Sequence, residues 1–122
     1  MKSLFIFAVT CCLAGVNAQT YEAFQREVII ESEDESSVEV DFCKWHITSS
    51  HVIWEAGDGH SADIHKVMDY LQSKEVYAIN TYGNEFTLDI DQVEGTDLFY
   101  LKYTPKQDTS WHAIYHCIKR PE

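Results

Sequence analysis

"FTLDIDQVEGTDLFYLKY", residues 86–103, is the stretch on which the fold reading turns. Phe86, Leu88 and Ile90 alternate with Thr87, Asp89 and Asp91, the two-residue period of a strand with one buried face. Phe99, Leu101 and Tyr103 alternate in the same way after a break at Gly95. Between the two runs, Val93 and Asp97 stand five and nine residues beyond Leu88. The alternation predicts two strands with a break between them.

Strand signals continue on both sides. In "SSVEVDFCKW", residues 36–45, Val38, Val40 and Phe42 share one face, read as the buried one. Glu39, Asp41 and Cys43 share the other. Val52 and Trp54 repeat the pattern before Gly57-Asp58-Gly59 breaks it. "EVYAIN" (75–80) and "SWHAIYHCIK" (110–119) add two more strands, with turns at Tyr82-Gly83-Asn84 and Pro105 to Asp108. Val28 to Ile30 form a short apolar run that enters the acidic cluster Glu31, Glu33, Asp34 and Glu35, which needs water and reads as a loop. One segment differs. Ile64, Val67, Met68 and Leu71 fall at i, i+3, i+4 and i+7, which predicts a short amphipathic helix over 61–73 with Ser61 as its N-cap.

The first 18 residues read as a secretory signal peptide. Lys2 precedes an apolar run from Leu4 to Gly15, and Val16-Asn17-Ala18 has the small-residue pattern of a cleavage site. The run is too short to span a bilayer, and no second apolar run of that length follows. Residues 19–122 are expected to be one soluble, secreted domain without a membrane anchor. Of 9 basic and 20 acidic side chains, cleavage removes only Lys2, which leaves 8 against 20, formally −12. Such a chain repels nucleic acid and anionic membranes, so neither is an expected partner. Cys11 and Cys12 leave with the signal. Cys43 and Cys117 remain, and an oxidising compartment favours a disulfide between them. Closing that loop would contribute roughly 4.5 kcal/mol on the chain-entropy model.

Mainly antiparallel short strands suggest a sandwich. Leu88-x-Ile90-x-x-Val93-x-x-x-Asp97 resembles the E strand and E–F corner of immunoglobulin-like domains. The resemblance spans about residues 27–119. It implies an antiparallel β-sandwich with a short helical insertion and a core of Phe42, Trp54, Leu88, Ile90, Val93, Leu101 and Tyr103, with Trp54 as the central tryptophan. The sequence departs from the family at the second cysteine position, where Tyr103 stands, and at the corner tyrosine, where Leu101 stands. Phe42 and Tyr103 would fill the space of the missing disulfide, as in CD2-like domains that lack it. A second alignment takes Tyr115 and Cys117 as the corner tyrosine and its cysteine, and Cys117 is assigned to strand F or G accordingly. "QVEGTDLFYLKY" is also similar to the inhibitory hairpin of cystatins, which implies an α+β fold and inhibition of cysteine proteases. Gln92-Val93-Glu94-Gly95 is one residue short of that motif, and the Pro-Trp loop is absent.

No constellation points to catalysis. His60, Asp63 and His65 crowd one segment, but His60 and His65 are five apart, not the i, i+4 spacing of a helical zinc pair, and read as surface residues. His112 and His116 lie two pleats apart, too far to share a metal. "DIDQVEG" opens like a calcium loop with its glycine one position late, and it alternates as a strand. No nucleophile elbow or phosphate loop is present. The expectation is therefore a secreted, non-enzymatic binding module without metal or cofactor. Trp111 and Tyr115, on one face of the last strand, are candidate contacts for a protein ligand. The alternative is a cystatin-like inhibitor.

Overall fold

The computed structural model describes residues 18–32 and 36–120. The signal-peptide reading of 1–18 and the acidic cluster at Glu33, Asp34 and Glu35 therefore fall almost wholly outside the described residues. Eight strands run in chain order: β1 (Gln19–Ile30), β2 (Ser36–Ile47), β3 (His51–Ala56), β4 (Ala62–Leu71), β5 (Val76–Thr81), β6 (Asn84–Gln92), β7 (Leu98–Pro105) and β8 (Trp111–Arg120). Each pairs antiparallel with the next, and β8 returns to pair with β1, from Thr20↔Arg120 to Ile30↔Trp111. The result is one closed up-and-down barrel with no open edge.

Closure overturns the sandwich and, with it, the immunoglobulin-like reading. Alternating strands need an inside and an outside, and both a sandwich and a barrel supply these. What separates them is the β1–β8 ladder, a pairing of residues about 90 apart that leaves no local trace.

The cystatin alternative fails as well, because the segment expected to be its helix is β4, followed by a single 3-10 turn at Gln72–Lys74. Its helical spacing comes from a β-bulge. The register slips between Val67 and Asp69, so Met68 interrupts the two-residue phase and the apolar residues fall three and four apart. Ile64, Met68 and Leu71 are exposed, and of the four stripe residues Val67 alone packs against the core.

The inward face of β2 is the reverse of the one expected. Two alternations of opposite phase compete on that strand: Val38-Val40-Phe42 and Cys43-Trp45-Ile47. A one-residue shift of register exchanges them completely. Pairing Ala23↔Cys43 and Tyr21↔Trp45 on one side, and Trp45↔Trp54 on the other, turns the second set inward. Phe42 is consequently 66% exposed and is not a core residue.

The remaining expected core positions all turn inward from their strands. Leu88, Ile90 and Leu101 are buried, and Trp54 and Tyr103 are partly buried against the core. Val93 is half-buried in the β6–β7 turn, where its carbonyl accepts from the Thr96 backbone N–H and hydroxyl.

The two ends of the barrel differ. At the end holding the β2–β3, β4–β5 and β6–β7 turns, Tyr21, Ile47, Val52, Ile79, Leu88 and Cys117 fill the interior. Tyr21 meets Phe99 edge to face at 5.2 Å, and the Lys119 ammonium lies 5.8 Å from both rings. At the opposite end stand the β1–β2, β3–β4, β5–β6 and β7–β8 connections. The β5–β6 connection is the tightest: Tyr82 and Gly83 both take positive φ, the geometry that matches strand twist in a two-residue hairpin.

Candidate functional site: the mouth of the barrel

Inward positions near this second end carry polar and aromatic side chains instead of aliphatic ones. From β1 comes Arg26. A bulge between Ala23 and Gln25 shifts the phase of β1, so Arg26 faces the interior opposite Tyr115 and Glu39. β2 supplies Glu39, Asp41 and Trp45, β3 supplies Trp54, and β4 supplies Asp63 and His65. β6 adds Phe86, β7 Tyr103 and β8 Tyr115. The ladders pair Trp54↔Asp63 and Leu101↔Tyr115, which keeps these side chains on the inward face. Trp45, Trp54, Asp63, His65, Tyr103 and Tyr115 line a cleft of 180 Å³ that opens to solvent. A larger hollow, 480 Å³, lies on the outside of the barrel against outward-facing Asp89, Tyr100, Lys102 and Ile114. The smaller cleft is distinguished by its lining, which comes from inward-facing positions of five strands.

His65 is the centre of the site. It is 4% exposed and boxed by rings: Trp45 stacked at 6.4 Å and 15°, with Phe86 and Tyr103 edge-on at 6.0 and 6.1 Å. Its Nδ1 bonds the Thr81 hydroxyl on β5. That hydroxyl donates its one proton to the Ile64 carbonyl, 3.2 Å away. With that bond made, Thr81 accepts from His65 in the tautomer that carries its proton on Nδ1, and in this tautomer the Nε2 lone pair is free. Burial lowers the His65 pKa, and the Asp63 charge offsets this only in part. The imidazole is neutral at physiological pH, an acceptor at the cavity wall.

Charge at the mouth is predominantly negative. Arg26 is held by Glu39 at 2.5 Å and Asp41 at 3.4 Å, and the Tyr115 hydroxyl lies beside it. One guanidinium thus meets two carboxylates. Asp63 is a third, with no ion-pair partner among the described residues.

Burial pushes the Tyr115 hydroxyl up to about 12 and raises Tyr103 further, so both stay protonated. The indole N–H groups of Trp45 and Trp54 lean on the Cys43 thiol without reaching hydrogen-bond geometry, so both remain without a partner.

Cys43 and Cys117 are free, buried thiols, and the expected disulfide is not present. Both lie opposite Ala23, one on each flank of β1. Two strand spacings put their Cα atoms about 10 Å apart, beyond what a disulfide spans. Burial pushes the Cys43 thiol up to about 11 and Cys117 higher, the reverse of a reactive cysteine.

Trp111 and Tyr115, read as core residues or as contacts for a protein ligand, pack inward: Tyr115 is buried and Trp111 lies against the core. Asp63 and His65 were readable as neighbours only if 61–73 was a strand, because two residues apart is one face of a strand and not of a helix. Arg26 carried no such signal, since its inward direction depends on the β1 bulge.

No protein-family model, curated protein or solved structure matches the chain.

Proposed function

We propose that the protein is a secreted, non-enzymatic binding module that holds one small molecule in the mouth of its barrel. The carrying observation is the cleft between Trp45, Trp54, Asp63, His65, Tyr103 and Tyr115, where aromatic walls and polar groups converge beside the buried core. Eight-stranded barrels have an interior that side chains can just fill, or that holds a single small ligand as in lipocalins and streptavidin. This is a likeness of architecture alone. Here the mouth carries the aromatic and polar wall, while a separate 310 Å³ hollow at the other end is lined by Gln19, Thr48, Ser49, Tyr70, Gln72, Glu75 and Tyr77. A few polar groups converging on aromatic walls is the common make-up of a small-molecule site.

Several features favour binding over catalysis. The one hydroxyl on His65, that of Thr81, gives its proton to a backbone carbonyl and so is not a nucleophile awaiting a base. The nearest thiol, Cys43, is held protonated. The residues first expected to contact a protein ligand, Trp111 and Tyr115, belong to the inner wall. Export rests on the pattern of residues 1–18.

The test is a titration of residues 19–122 with small single-ring compounds that are cationic, neutral or anionic. Tryptophan fluorescence is the readout, because Trp45 and Trp54 line the cavity. Saturable one-to-one quenching by one charge class, with a rise in Tm, is the expected result. No saturable binding in any class would overturn the reading.

A further inference from the structure

Resting on that reading, we propose that the ligand is a protonated amine with at least one N–H, joined by a short arm to a single aromatic ring. Its ammonium is held between the Asp63 carboxylate and the His65 Nε2, and its ring lies among Trp45, Trp54, Tyr103 and Tyr115.

Three observations converge on this class. The first is the sense of the hydrogen bonds. Nε2 of His65 is an acceptor in the tautomer whose Nδ1–H donates to the Thr81 hydroxyl, the one that leaves that hydroxyl free to donate to the Ile64 carbonyl. Asp63 is an acceptor without an ion-pair partner among the described residues. Both lie on β4 two residues apart and both line the same cavity. A ligand that covers them must donate, since burying either unpaired carries a desolvation cost. A carboxylate or phosphate would leave both unpaired and add repulsion.

The second is charge. The mouth offers one guanidinium, and Glu39 and Asp41 already hold it. The unpaired carboxylate is left facing the ligand, on a chain of net charge −11 that attracts cations from a distance.

The third is size and wall chemistry. A cavity of about 150 Å³ takes a benzene ring, and this one measures 180 Å³. It therefore has room for one ring and a short arm against its walls. Aromatic faces around a cation add attraction of their own.

The N–H requirement separates this proposal from a simple aromatic cage. A quaternary ammonium satisfies the rings and Asp63 but cannot donate to Nε2. The probes are 2-phenylethylammonium, its N,N,N-trimethyl analogue, 2-phenylethanol and phenylacetate, titrated calorimetrically at pH 7.5. Expected is saturable binding of 2-phenylethylammonium at least tenfold tighter than each of the other three. Asp63→Asn, at an exposed rim position, weakens it at least tenfold, the loss of one charge-assisted hydrogen bond. His65→Gln narrows the gap between the primary and quaternary amines. Tightest binding by the alcohol or the carboxylate would keep the small-molecule reading and overturn the amine. Equal binding of the two ammonium ions would overturn the role of Nε2. Binding of none would overturn both readings.

Discussion

The Thr81 hydroxyl on β5 lies between the His65 Nδ1 and the Ile64 carbonyl, so one threonine ties the buried imidazole of β4 to that strand's own backbone. Thr81→Val keeps the shape and removes the acceptor. A buried N–H left unpaired costs about 1–3 kcal/mol. Urea unfolding should show a loss in that range at unchanged m-value, with Thr81→Ser recovering most of it. A change within about 0.5 kcal/mol, the size of an ordinary surface substitution, would show the bond to be idle.

His65 also predicts a pH dependence. Burial lowers its pKa from the ordinary 6.5, and Asp63 pulls it back only in part. The groups around it are Asp63 on its own strand, neutral Tyr103 on β7, and the uncharged Trp45 and Phe86. As pH falls through 6.5, the unfolded chain takes up the proton before the folded one does. The stability associated with the neutral ring is thus fully present above 6.5 and is lost as pH drops toward the folded value. Denaturant midpoints from pH 7.5 to 5 should fall more steeply for the wild type than for His65→Gln. Parallel slopes would contradict it.

Phe42 and Leu101 should separate cleanly. Phe42 is 66% exposed on the outer face of β2, and Leu101 is fully buried. Leu101→Ala should cost about 2–5 kcal/mol, and Phe42→Ser about 0.5 kcal/mol or less. A large loss at Phe42 would mean that the Val38-Val40-Phe42 face is the inner one.

Gly57 is required by space and not by conformation. A Cβ there would stand 2.1 Å from the Phe42 carbonyl oxygen, an atom of the backbone that cannot swing away. Gly57→Ala should force β2 and β3 apart where Cys43 pairs with Ala56, with an overpacking cost of about 1–3 kcal/mol or more. Thermal unfolding would register it as a clear drop in Tm. An unchanged Tm would show that the β3–β4 turn absorbs the clash.

The two cysteines of residues 19–122 should be silent thiols. Both are buried and free, with raised pKa values. A thiol reagent should label neither in the native protein and both after unfolding without reductant. No labelling of the unfolded chain would place them in a disulfide.

Much of the strand pattern is legible along the chain. The alternations of Phe86-Leu88-Ile90 and Phe99-Leu101-Tyr103 announce two strands, because two-residue amphipathicity is a local property of consecutive side chains. The turn at Tyr82-Gly83 is legible for the same reason. Where two phases compete, as on β2, or a bulge resets the phase, as at Met68, local pattern misleads. The tryptophan and cysteine set wins on β2 because β1 and β3 offer it an interior, and nothing within residues 36–47 states what those neighbours will be.

Sequence alone therefore determined the strand-rich character of the chain, most of its turns, and its acidity, all of which depend on residues adjacent along the chain. Tertiary structure alone decided closure, since the β1–β8 ladder joins the two ends. It also decided which face of β2 and β4 turns inward. The site follows from both: Trp45, Trp54, Asp63, His65, Tyr103 and Tyr115 come from five strands. They meet around one cavity only because the closed barrel fixes the register of every strand against the next.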